Sequence, residues 1–350
     1  MKNTFLLSFV LIFLVTSNVF ASSDFTFSNI KPDDFFGHDI ELIGDLDGDG
    51  VTDIAVGVPY DNDGANSAGA VYILFLNSDG TVKSSQKISS SEGNFQIELD
   101  DSDKFGYSID NIGDLNNDNI IDIAVGAPGD DDVRELINFE SGETSSSRGA
   151  VYILFLNSDG TVKSSQKISS SEGNFREKLE AYDAFGRSIA NLGDFDGDGV
   201  TDIVVGAYHD DDGGYNTGAV YILFLNSDGT VKSSQKISSS EGNFKGIIDS
   251  GDCWGNAITG LNDLDGDGIT DIAVGSPYRN YYDNELSPLH ILFLNSDGTV
   301  KSFKTIPEQT IIQGNYDFVY YIGILLFFVI LSVLIVWKKF GKNKKQKISN

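Results

Sequence analysis

One block of 27 residues, GAVYILFLNSDGTVKSSQKISSSEGNF, occurs three times without change, at residues 69–95, 149–175 and 218–244. A shortened fourth copy, ILFLNSDGTVKS, spans 291–302. A chain built this way folds as a succession of similar units, because each copy has the same apolar face to cover and finds its cover in a neighbour. Asp-rich loops recur with the block and open at Asp45, Asp114, Asp194 and Asp263. The second interval is longer than the other two because it holds an insertion, roughly Val133 to Ser147.

Each unit reads as four strands. A first strand contains Phe105 to Ile109 and ends near Gly113; the Asp-rich loop follows, then a short buried strand, Asp122 to Gly126. After an acidic loop comes Ala150 to Leu156, too apolar for a strand with one wet face. Asn157-Ser158-Asp159-Gly160 turns the chain back into Thr161 to Ile168, whose polar alternation suits an outer strand. No persuasive helical period occurs between the two ends. The expected fold is therefore all-β, a β-propeller of four blades with four antiparallel strands each. The sequence favours a closed ring fastened by Phe25 to Ile30, and leaves open both an open stack of blades and a homodimer in which two chains combine their blades.

The Asp-rich loops carry chemistry. Their predicted ligands are Asp45, Asp47, Asp49, Val51 and Asp53; Asp114, Asn116, Asp118, Ile120 and Asp122; Asp194, Asp196, Asp198, Val200 and Asp202; and Asp263, Asp265, Asp267, Ile269 and Asp271. Carboxylates at positions 1, 3, 5 and 9, with the carbonyl at 7, converge on one hard cation, and the flexible oxygen set suits Ca²⁺ better than Mg²⁺. Position 6 must turn sharply, which Gly permits and Asn119 tolerates. An EF-hand is excluded: position 12 is Val56, Val125, Val205 or Val274, each inside a predicted strand, where that motif needs Glu. Up to four structural calcium ions are expected, the second site weakest because Asn116 removes an acid.

The two ends differ from the middle. Residues 1–21 have the lysine, apolar run and small-residue ending of a secretory signal peptide. Residues 318–337 are uncharged and, at about 1.5 Å per residue, long enough to cross a hydrocarbon core as one C-terminal transmembrane helix. The tail 338–350 holds six lysines and no acid, which places it on the cytoplasmic side and the body of the protein outside. The external part then holds 17 bases against all 52 acids, a net charge of −35. Such a field excludes nucleic acid as a partner and demands neutralising cations. Cys253 is the single cysteine, so no intrachain disulfide forms.

Phe36-Gly37, Phe105-Gly106, Phe185-Gly186 and Trp254-Gly255 open the units, and Gly57-Val58-Pro59, Gly126-Ala127-Pro128, Gly206-Ala207-Tyr208 and Gly275-Ser276-Pro277 follow the loops. With the Asp-x-Asp-x-Asp-Gly-x-x-Asp loop between them, these pairs resemble the FG-GAP repeats of the integrin alpha-chain propeller, over residues 24 to 310. The units fall at about 35–95, 105–175, 185–244 and 254–306, within an ectodomain of 22–312. The chain departs from that family in having four blades where integrin propellers have seven, and in lacking leg domains and the integrin juxtamembrane motif.

The resemblance implies calcium-binding loops on one face and ligand engagement on the other, by residues including Tyr60, Asp61, Asp63, Asp130, Asp131, Asp132, Tyr208, His209, Asp210, Asp211, Tyr278 and Tyr281. It implies a single-pass cell-surface protein, N-terminus outside, for adhesion to or recognition of an extracellular protein or glycan. A lectin is the narrower alternative and a surface hydrolase or lyase the third. Catalysis is not expected, because His38, His209 and His290 are scattered and Cys253 has no evident base.

Overall fold

In the computed structural model, residues 30–131, 147–276 and 288–306 are described. The signal segment, the apolar run at 318–337, the basic tail, Asp132, Tyr278 and Tyr281 lie outside them. Among the described residues no helix is long and apolar enough to cross a membrane.

The chain forms four sheets, each an antiparallel meander of four strands in sequence order. The first is β1 (Ile40–Gly44), β2 (Asp53–Val58), β3 (Ala70–Leu76) and β4 (Val82–Ile88). The second is β5 (Ser108–Gly113), β6 (Asp122–Ala127), β7 (Ala150–Leu156) and β8 (Val162–Ile168). The third is β9 (Phe185–Gly193), β10 (Asp202–Ala207), β11 (Ala219–Leu225) and β12 (Val231–Ile237). The fourth is β13 (Ala257–Gly260), β14 (Ile272–Gly275), β15 (Leu289–Leu294) and β16 (Val300–Ile306). The arrangement is all-β and consistent with a propeller. The apolar runs are explained by their place. β7 and β11 are buried along their whole length, one face against each neighbouring blade.

The seams between blades repeat one design. The aromatic ring that opens each later blade stacks on a phenylalanine from the end of the preceding block: Phe95 on Phe105 at 4.9 Å, Phe175 on Phe185 at 5.1 Å, Phe244 on Trp254 at 5.2 Å. The asparagine beside that phenylalanine reaches the next outer strand, Asn94 to the Val162 carbonyl at 2.7 Å and Asn174 to that of Val231 at 2.8 Å. Glycine is required where backbones touch. A Cβ on Gly57 would lie 2.1 Å from the Gly106 carbonyl oxygen, and one on Gly126 2.0 Å from that of Gly186. This is why Phe-Gly and the glycine after the loop recur together.

Neighbouring inner strands pack in the order β1, β5, β9, β13. Among the described residues β13 does not pack against β1 in the same way. The inner strands line one cleft, and the clasp expected of Phe25 to Ile30 lies outside the described residues except for Ile30, which packs on the first blade against Val56, Val58, Ala70, Tyr72 and Leu74. The first blade shows the difference. Ile40 is 57% exposed, whereas Ile109 and Ile189 at the same place in later blades are buried. Leu42 is 63% exposed where Asn111 and Asn191 form hydrogen bonds to the preceding inner strand.

Candidate metal centres and the opposite rim

Each Asp-rich loop joins the first and second strands of its blade, and Val56, Val125, Val205 and Val274 all lie in the second strand. The backbone turns as position 6 requires, with φ of 88° at Gly50, 68° at Asn119, 88° at Gly199 and 89° at Gly268. Position 4 is also left-handed, at Gly48, Asn117, Gly197 and Gly266, a second reason for the Asp-Gly-Asp-Gly spelling.

Side chains within each loop cap its own amides. In the first, Asp45 accepts from the Gly50 N–H at 2.8 Å and Asp49 from that of Val51 at 2.9 Å. Asp53, at position 9, is buried and has both oxygens engaged, by the Leu46 and Leu76 N–H groups at 3.0 Å each. Asp122, Asp202 and Asp271 repeat this strut. Burial pushes Asp122 up to about 7 and Asp202 up to about 6. The position-9 carboxylate therefore ties the loop to the start of the β3–β4 hairpin, besides facing the other acids.

Three loops gather acids as a cation site does. Carboxylate oxygens of Asp45, Asp47 and Asp53 lie within 4.8 Å of one another, as do those of Asp194, Asp196 and Asp198, and of Asp263, Asp265 and Asp271. Among the described residues the second loop forms no such cluster. The donor set is all carboxylate, as hard divalent cations prefer. Each loop also meets a lysine from the outer strand, which the sequence reading missed. Lys83 Nζ lies 2.6 Å from both Asp47 and Asp49, Lys301 2.7 Å from Asp265 and Asp267, and Lys163 2.6 Å from Asp118. Lys232 pairs with Asp196 at 2.6 Å and also with Asp198.

The opposite rim holds the residues expected to engage a ligand, and several are turned inward. Asp61, Asp130 and Asp210 are buried. They pair with Lys87 at 3.0 Å, Lys167 at 2.9 Å and Lys236 at 2.8 Å. The Tyr152 hydroxyl donates to Asp130 at 2.6 Å and the Tyr221 hydroxyl to Asp210 at 3.0 Å. Asp63 accepts from Ser89 and Ser91, Asp211 from the Asn216 N–H, and Asp131 from the Ser147 N–H. Tyr60 packs on Phe35, and Tyr208 stacks on His209 at 3.7 Å.

The cleft between the inner strands, about 940 Å³, draws residues from all four blades. At its mouth Arg187 lies over Tyr107 at 4.2 Å and over Tyr208 at 4.6 Å, and donates to Asn256 at 2.9 Å. His38 packs on Tyr107 with ring centroids 4.2 Å apart and the planes tilted by 55°. Burial, then the Arg187 charge, lowers the pKa of both His38 and His209. Deeper in, Asp110 is pushed up to about 7 by burial and by Glu41. Arg187 carried no sequence signal: it sits one residue after a Phe-Gly pair, where the other blades have His38, Tyr107 and Asn256.

The FG-GAP repeat family model matches residues 41–74, 185–223 and 254–292. The unmatched unit has the asparagine-containing loop and the insertion. Among curated proteins the chain is similar to integrin alpha-2 of Mus musculus, 35% identical over 167 residues, covering 47% of this chain and 12% of that protein. It is 28% identical to integrin alpha pat-2 of Caenorhabditis elegans over 239 residues, 67% of this chain and 17% of the other. Integrin alpha-5 of Xenopus laevis is 31% identical over 252 residues, 70% of this chain and 20% of the other. The chain thus spans a fifth or less of the length of these relatives. Among solved structures, a rhamnogalacturonan lyase of Bacillus licheniformis overlaps at a TM-score of 0.37 and 15% identity, over 75% of this chain and 48% of the lyase.

Proposed function

We propose that this chain, an integrin alpha-like FG-GAP repeat protein, is a calcium-binding surface protein that is anchored by its apolar run at 318–337 and recognises an extracellular ligand. The observation that carries the reading is the repeated cation loop. In three blades carboxylates gather at one end of the sheet, in loops shaped for a cation, and a cleft between the inner strands is lined by residues from all four blades. When bound, the ion supplies positive charge that holds the loop's acids together. Asp45, Asp47, Asp49 and Asp53, and their equivalents, would hold it.

Recognition falls to the rim away from the loops. Since Asp61, Asp130 and Asp210 serve Lys87, Lys167 and Lys236, contact with a partner is left to Tyr208, His209, Arg187, Tyr107 and His38. Chemistry other than binding has little support among these residues. Burial pushes the Cys253 thiol up to about 11, far from a reactive thiolate. His290 is buried against Phe244 and Trp254.

The test displays the full-length chain on cells and probes it with a glycan array and a panel of matrix proteins, in calcium and in chelator. Saturable binding that chelator abolishes and Arg187→Ala weakens is the expected result; sugars or proteins on the positive spots separate lectin from protein adhesin. No binding on either panel overturns the recognition reading, and binding indifferent to chelator overturns its dependence on calcium. Extraction of the chain from membranes by alkaline carbonate would overturn the anchor.

A further inference from the structure

We propose that Lys83, Lys163, Lys232 and Lys301 are resident competitors of the divalent cation, each offsetting part of its loop's negative charge when the ion is absent and withdrawing when the ion binds. The inference rests on the calcium reading above and adds what sets the affinity of those sites.

The first loop shows the conflict atom by atom. Asp49 uses Oδ1 for the Val51 N–H and Oδ2 for Lys83. Asp47 uses Oδ1 for the Asp49 N–H at 3.2 Å and Oδ2 for Lys83. The oxygens that the loop backbone leaves over at positions 3 and 5 are thus the ones the ammonium holds. A cation that takes them needs the lysine to leave, or to stand a few ångströms from a double positive charge. The fourth loop repeats the pattern, with Lys301 on Asp265 and Asp267. In the second, Lys163 reaches Asp118 alone, because Asn116 stands where the others have an acid.

The placement of these lysines is built into the fold. Each lies two residues past a hairpin pinned by its own side chains. Asn77 N–H donates to the Thr81 carbonyl at 2.8 Å, and the Thr81 hydroxyl to Asp79 at 2.6 Å. The same pins recur at Asp159, Asp228 and Asp297. The hairpin therefore holds each lysine's backbone opposite its loop, while the side chain, 41% exposed at Lys83 and Lys301, has solvent to swing into. The ammonium is a tethered monovalent ion at high local concentration, which a divalent ion displaces by its greater charge.

Calorimetric titration with calcium chloride of the full-length chain in detergent tests this, against K83M/K163M/K232M/K301M and against K232M alone in case the fourfold variant folds poorly. Methionine keeps the length of the stem and removes the charge. The expected gain in affinity is roughly threefold at each altered loop, the factor that about 0.7 kcal/mol of relieved competition gives, and least at the second loop. The calcium-stripped variant should melt below the stripped wild type, and the loaded forms together. Unchanged or weaker calcium affinity in K232M overturns the inference while leaving the calcium sites in place. A wild type that takes up no calcium overturns the calcium reading itself.

Discussion

Lys83 and Lys87 sit four residues apart on one outer strand and both pair with aspartates, yet they do opposite work. The Lys83 side chain is 41% exposed, on the cation-loop rim; that of Lys87 is 10% exposed, on the rim that faces the cleft mouth. Lys232 and Lys236 differ in the same way, at 39% and 11%. In water an ion pair is a loose, replaceable association, whereas a buried pair cannot lose one member without stranding the other. The same repeat thus supplies an exchangeable counterion at one end of the blade and a fixed strut at the other. The fourth blade keeps Lys301 but has Thr305 where the others have their second lysine, so the strut is the part it has given up.

The sharpest way to break this contrast is Lys236→Met. It leaves Asp210 buried beside Asp212 with the Tyr221 hydroxyl as partner, and should cost about 3–5 kcal/mol in chemical denaturation; adding Asp210→Asn should recover part of that. A loss under about 1 kcal/mol would put the two lysines in one class. Next comes the ion: calcium at a hundred times its dissociation constant should stabilise the protein by about 2.7 kcal/mol per occupied site, read as a rise in melting temperature that chelator reverses.

A pH effect on the strut side follows. Asp103 is pushed up to about 8, by burial first and by the Asp130 charge next. A folded-state pKa above the unfolded value means that the native protein holds a proton the unfolded chain releases. Stability from this group is present at acid pH and is lost as pH rises from about 4 to about 8. Asp103→Asn should accordingly stabilise the protein at pH 8, by about 1 kcal/mol or more, with little effect at pH 4.5; equal effects at both would show that Asp103 does not titrate in the window. The smallest change is Lys83→Met, expected to lower the melting temperature of the calcium-stripped protein by at most about 2 °C.

Much of this was legible in the sequence, for reasons specific to the residues. The strands and meander order could be read because GAVYILFL and the Asn-Ser-Asp-Gly turn each permit one local structure, and the loops because their glycines and acids fall at fixed spacing. What could not be read depends on the third dimension. Lys83 meets Asp47 from 36 residues away, and in the sequence it belongs to a polar strand indistinguishable from a solvated face. Asp61, Asp130 and Asp210 look like acids in exposed loops until Lys87, Lys167 and Lys236 are placed under them. Arg187 stands out only once the inner strands converge. The first blade was half legible: Leu42 where later blades have Asn111 and Asn191 is a visible change, but its meaning depends on those asparagines reaching the blade before.

The seams carry a consequence for how such a chain grows. Because Phe95–Phe105, Phe175–Phe185 and Phe244–Trp254 are one joint made three times, a unit copied into the middle of the gene would find a fitting neighbour on each side. Each joint is made between neighbours alone, so adding a unit leaves every other seam as it was. The identity of the 27-residue blocks is what such a history leaves behind: interchangeable parts held by one kind of joint.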